Sequence, residues 1–147
     1  ADAADCFQET FICALELSRR QRIRNFRPLL ARLATTRAID QLRRRMRHAE
    51  PNGDQGRLAD VQAGCPGPVQ CAQDNELAGQ LRESILKLPP TEAEAFCLRF
   101  LNDMSYKEIA RELGIKAGAA GVLLHRARAK LKVALEQAEK SKEQVAP

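Results

Sequence analysis

SYKEIARELGI, residues 105–115, constrains the fold more than any other stretch. Ser105 with Glu108 three positions later has the spacing of a capping box. In that arrangement the hydroxyl and the carboxylate each satisfy a backbone N–H that a helix start leaves unpaired. The apolar spacing of Ile109 and Leu113 fits one face of a helix, and Gly114 supplies the left-handed conformation that stops it. A second helical pattern starts again at about Ala117 and runs to Ala138. Two helices separated by so few residues must cross sharply, which requires a small residue at the crossing and apolar residues to hold the angle. Ala110 meets the first need, and Ile109, Leu113, Ile115 and Leu123 the second. With Gly114 at the turn, these features predict a helix-turn-helix.

The rest of the chain reads as helical too, with no convincing alternating strand. Leu77, Leu81 and Ile85 mark a helix that ends at Leu88-Pro89-Pro90. Thr91 with Glu94 has the spacing of a second capping box and opens a helix through about Leu101. Upstream, Phe7, Phe11 and Leu15 fall four apart on one face of a first helix. SRRQRIRN reads as a loop, and Pro28 suits the first turn of a long helix reaching about His48. That long helix carries two apolar stripes, Phe26-Leu30-Leu33 and Ile39-Leu42-Met46. The first helix can cover only one of them, so further helices upstream of Ala1 are expected, as is the loss of an N-terminal part. From Glu50 to about Asn75, PNGDQ and GCPGP have a linker composition. The expected fold is all-α: two small helical domains joined by a flexible linker, the second a four-helix helix-turn-helix domain. The expected bounds are 1–48, a linker over 49–76, then 77–139, and a tail over 140–147.

Charge narrows the function. The formal net charge is +5, and eleven arginines with the single acid Asp40 lie between Arg19 and His48. The remainder is net acidic, so the positive charge forms one stripe, an electrostatic footprint suited to phosphate. The five cysteines lack metal-ligand spacing. Cys6, Cys13 and Cys97 read as small apolar fillers, and the Cys65–Cys71 pair reads as a weak redox or metal candidate; a reducing cytoplasm fits. No apolar run reaches membrane-spanning length. No nucleophile–base pair, metal cluster or phosphate loop is evident, so neither an enzyme nor a cofactor is expected.

LPPTEAEAFCLRFLNDMSYKEIARELGI followed by LLHRARAKL resembles region four of bacterial RNA polymerase sigma factors of the extracytoplasmic-function (ECF) type. ADAADCFQETFICAL and FRPLLARLATTRAIDQLRRR are similar to helices of region two in the same family. The two resemblances stand in the family's order and together cover about three quarters of the chain. They imply a transcription initiation factor that binds core RNA polymerase, directs it to promoter DNA and opens the −10 element. An anti-sigma factor is an expected further partner.

Residue by residue, the resemblance places Asp5, Gln8, Glu9 and Phe11 on the polymerase-facing helix, with plain core packing equally open for Phe11. Arg19, Arg20, Arg22 and Arg24 fall in the base-capturing loop, where guanidinium groups can stack on an extruded base and hold its phosphates. Thr36, Arg37, Asp40, Arg43 and Arg44 fall on the helix beside the −10 DNA, the arginines as phosphate contacts and Asp40 as an orienting partner. Lys116, Ala119, Ala120, Arg126, Arg128 and Lys130 fall on the −35 side. His125 reads as a phosphate or helix-end contact. The chain departs from the family where Leu29 replaces Trp and Thr36 replaces Asn.

The larger departure is GAAGVLLHRAR, where the family's run is close to GTVKSRLHRAR. Groove-facing hydrogen-bonding side chains give way to Ala, Gly and Val. Lys116 is a poor N-cap, and Gly121 weakens the helix interior. Three readings stay open: DNA contact through methyl groups and phosphate-facing cations, a docking face for another protein, or a degenerate domain. Correspondingly, a helix-turn-helix regulator acting without polymerase and a protein-interaction module are the alternatives to a sigma factor.

Overall fold

The computed structural model describes residues 2–49 and 68–145, which form six helices and no strand. They are α1 (Asp2–Arg20), α2 (Phe26–Ala49), α3 (Pro68–Lys87), α4 (Pro90–Phe100), α5 (Tyr106–Leu113) and α6 (Ala117–Val145). The all-α expectation holds. Most of the expected linker, including Cys65, lies outside the described residues, whereas 68–76 already belong to α3. The expected tail continues α6 as far as Val145, where Lys142 pairs with Glu76 of α3.

α1 and α2 pack against one another across the short connection 21–25. The first three residues of the expected loop, Ser18 to Arg20, complete α1 instead. The inner face of α1 carries Cys6, Thr10, Cys13, Ala14 and Leu17, mostly small residues that let the two backbones approach. Thr10 is buried without an unsatisfied hydroxyl, because it donates to the Cys6 carbonyl at 2.6 Å. The Cys6 thiol donates to the side-chain oxygen of Gln41 on α2. Phe7, Phe11 and Leu15 do share a face, but it is the outer one: they are 64%, 44% and 59% exposed. Core packing among the described residues therefore does not account for Phe11.

Ile39, from the second apolar stripe of α2, meets the other half of the chain. Ile39 is buried in a cluster with Leu88, Ala93, Cys97, Ala127 and Leu131, and Ala31 packs on a second cluster. Polar contacts run along the same seam. Arg32 pairs with Glu112 at 3.3 Å, and the Thr36 hydroxyl lies 3.1 Å from the Glu94 carboxylate. Arg43 donates to the carbonyls of Leu86 and Leu88 at 3.2 and 2.8 Å, where α3 ends with its carbonyls unpaired. The second set of partners that the long helix requires is thus supplied in part by the second half. Leu29, in the place of the family's Trp, is buried; burial also pushes the Cys97 thiol up to about 11, with Glu94 adding to the shift.

The helix-turn-helix forms as its spacing predicts. The Ser105 hydroxyl accepts from the Glu108 N–H at 3.2 Å, while the Glu108 carboxylate accepts from the Ser105 N–H at 2.9 Å. These bonds, the backbone one foremost, hold the Glu108 carboxyl below its ordinary range. The stabilisation is therefore complete above the unfolded-state pKa and is lost as pH falls through the lower folded-state pKa. Gly114 ends α5 with φ 67°, and the Ile115 N–H reaches back to the Ala110 carbonyl at 2.9 Å. Leu98, Met104, Ile109, Ala110, Ala120 and Leu124 form the cluster that fixes the angle, with Leu113, Ile115 and Leu123 packed around it. The second expected capping box does not form. α4 starts at Pro90 behind Pro89, no side chain caps it, and Thr91 is already helical.

Gly121 has room for a side chain. A Cβ there would meet only the Tyr106 ring edge, at an ordinary 3.9 Å. Gly121→Ala is expected to stabilise the protein by about 1 kcal/mol through helix propensity alone. Thermal denaturation would register this as a raised midpoint, and a lowered one would show that the site is more crowded than its geometry indicates.

Candidate nucleic-acid interface

The arginines and lysines separate into two groups by what they touch. Several are engaged within the fold. Arg37 donates to Glu9 at 2.7 Å and also meets the Cys13 thiol; these contacts, Cys13 first, push its pKa further up. Arg43 holds the end of α3, as described. Lys130 places its ammonium 3.0 and 2.9 Å from the two oxygens of Glu92, a buried carboxylate in the first turn of α4. The pair neutralises that carboxylate and joins α4 to α6, with the lysine side chain half exposed. Arg128 stacks over the Phe100 ring at 4.8 Å, which fixes its stem against α4.

The other group is exposed and free of ion pairs among the described residues. Arg19 and Arg20 end α1, Arg22 and Arg24 occupy the connection to α2, and exposed Arg44 lies on α2 near exposed Asp40, bordering the cleft that Asp5 and Glu9 of α1 also line. Lys116 immediately precedes α6, where its carbonyl accepts the first helical N–H, from Ala120 at 3.1 Å; Arg126 and His125 lie two turns on. The last turn of α1 and the connection to α2 thus gather four cations at one end of that helix pair. Asp5, Gln8, Glu9 and Phe11 are all exposed on α1, with Glu9 also bonded to Arg37.

The register of α6 decides what its front half presents. Ala120, Leu124, Ala127 and Leu131 recur every three or four residues and form the buried stripe. Ala120 is fully buried, so the expectation that it touches the DNA groove is corrected: its methyl packs beneath α5. Opposite the stripe stand Gly118, Ala119, Val122, His125, Arg126 and Ala129, all exposed. Val122 rather than Ala120 accompanies Ala119 on that face. The three-four repeat was readable in the sequence and would have assigned both residues. Glu92 carried no comparable signal, since an acid in a first helical turn is ordinarily solvated and favourable there.

Thr36 bonds to Glu94 and to the Arg32 carbonyl, so the residue in the place of the family's Asn faces the seam between the two halves.

Comparison with known proteins accounts for this layout. Residues 1–48 match the family described as sigma-70 region 2, and residues 78–131 match sigma-70 region 4. The chain is 34% identical over 134 residues to the ECF RNA polymerase sigma factor SigE of Mycolicibacterium smegmatis, covering 89% of this chain and 51% of that protein. It is 30% identical over 138 residues to the ECF RNA polymerase sigma factor SigW of Bacillus subtilis, covering 89% of this chain and 74% of that one. It therefore spans about half the length of the first relative and three quarters of the second. With both regions matched in order, and with the helix-turn-helix built as region four requires, the chain belongs to the ECF sigma factors.

Proposed function

We propose that the protein acts in transcription initiation by engaging core RNA polymerase through α1 and placing two DNA-contacting surfaces on a promoter. The observation that carries this reading is the separation of surfaces on the first helix pair. The exposed surface of α1 runs from Phe11 and Gln8 on its outer side to Asp5 and Glu9 along the edge toward α2, a polar, acidic and aromatic strip suited to a basic partner, while its far end and the following connection carry four free arginines. In this reading Arg19, Arg20, Arg22, Arg24 and Arg44 hold the displaced strand and phosphates on the −10 side. Arg37 and Arg43 position α2 through their internal contacts. Lys116 and Arg126 contact phosphates on the −35 side, with Ala119 facing the groove and Arg128 braced by Phe100.

The protein is read as non-catalytic. Among the described residues no helix is long and apolar enough to cross a membrane, which is compatible with action beside polymerase in the cytoplasm. An anti-sigma factor is the regulatory partner this role implies.

Mixing the protein with core polymerase should yield a co-eluting complex that starts transcription at specific promoters. Failure to co-elute, or initiation no more specific than core alone, would refute the role. Tight duplex binding by the chain without core would instead favour a polymerase-independent regulator.

A further inference from the structure

The exposed front of α6 offers a base edge nothing with which to exchange hydrogen bonds. Within its first two turns the outward positions are Gly118, Ala119 and Val122, and only beyond them do His125 and Arg126 bring polar groups. Val122 is 49% exposed, and nothing lies within 4 Å of a Cβ placed on Gly118. The surface is thus two methyl-bearing side chains beside an open notch.

Charge around that surface selects its counterpart. Lys107, Arg111, Lys116, Arg126, Arg128 and Lys132 are exposed on α5, the turn and α6. The acids of α5 are already engaged, Glu108 in the capping box and Glu112 with Arg32. An apolar protein surface gains little from so many cations, whereas a polyanion is held by them. On duplex DNA, the only apolar group that a base presents in the major groove is the C5-methyl of thymine.

We propose that α6 reads its promoter element by methyl-to-methyl contact, with Val122 and Ala119 packing on thymine C5-methyl groups while Lys116 and Arg126 hold the flanking phosphates. The inference rests on the proposed role in initiation and specifies how region four selects its site. Ala119 and Val122 are three residues apart, about 4.5 Å along the helix at 1.5 Å per residue. Base pairs rise about 3.4 Å, so the contact spans about two successive base pairs. Recognition is expected to accept thymine on either strand of those pairs and to discriminate poorly among bases elsewhere under α6.

The test uses the full chain with core polymerase and a library of random duplexes, followed by single thymine-to-uracil replacements in the enriched site. Uracil keeps every hydrogen-bonding group and removes only the methyl. Replacement at one or two adjacent positions should weaken binding about fourfold per methyl, the magnitude expected for one buried carbon. In Val122→Ala the same replacement should matter less than about twofold, because the methyl has lost its partner. Val122 is half exposed, so this variant should fold normally, which circular dichroism checks. Enrichment of a site that is indifferent to uracil, or equal uracil sensitivity in Val122→Ala, overturns methyl readout and leaves the initiation role standing. No enrichment over core polymerase alone overturns both.

Discussion

Leu98→Ala is expected to destabilise the protein by about 2–5 kcal/mol, the range for removing a fully buried leucine. Leu98 is wholly enclosed and shares its cluster with Met104 and Ile109, Ala110 of α5 and Ala120 and Leu124 of α6. Three helices surround the vacated volume, and α5 is held at its start by the capping box and at its turn into α6 by Gly114. The site therefore cannot collapse to close the hole, which places the expected loss toward the upper end. Urea unfolding followed by circular dichroism measures it directly. A loss below about 1 kcal/mol would mean that the helix-turn-helix core relaxes far more freely than its packing implies. Function should suffer in parallel, because the same cluster sets the angle at which α6 is presented.

Arg43→Met and Arg44→Met, one residue apart on α2, are expected to behave in opposite ways. Arg43 makes two hydrogen bonds to carbonyls at the negative end of α3. Methionine keeps much of the stem and removes the charged donor, so the variant should lose about 1.5–3 kcal/mol of stability, as for a hydrogen bond to a charged group. Its DNA binding, measured with core polymerase across a salt series, should keep the wild-type slope. Arg44→Met should change stability by no more than about 0.5 kcal/mol, as at an ordinary surface site. Its slope of log affinity against log salt should flatten by about 0.7–0.9, the contribution of one phosphate contact. The sequence alone assigned both arginines to phosphate. Equal flattening by both variants would restore that assignment and remove the role argued for Arg43 at the seam.

What could be foreseen from sequence was local. The Ser105–Glu108 box, the Gly114 turn and the stripe around Ile109 depend on residues within a few positions of one another, and the chain builds them where their spacing says. The Thr91–Glu94 box has the same spacing but fails for an equally local reason. Pro90 lacks an N–H and has φ preset for a helical first turn, so α4 begins two residues early, with Pro89 in the cap position, and Thr91 cannot take the extended conformation of a cap. Glu94 is then free to meet Thr36, 58 residues away. That contact, the Lys130–Glu92 pair and the seating of Ile39 share a property that periodicity does not encode: the partners lie on different helices, far apart in sequence. An arginine stripe looks uniform in sequence. Only the packing distinguishes the arginines that face solvent from those that hold helices together.

The shared seating of Ile39 with Leu131 has a consequence for how the chain unfolds. Had each half closed its own core, heating would separate them into two independent transitions. With Ile39, Thr36, Arg32 and Arg43 interlocked with α3 through α6, neither half can open without exposing part of the other's interior. The described helices then form one cooperative unit, and a stabilising change near the turn of the helix-turn-helix also protects α2.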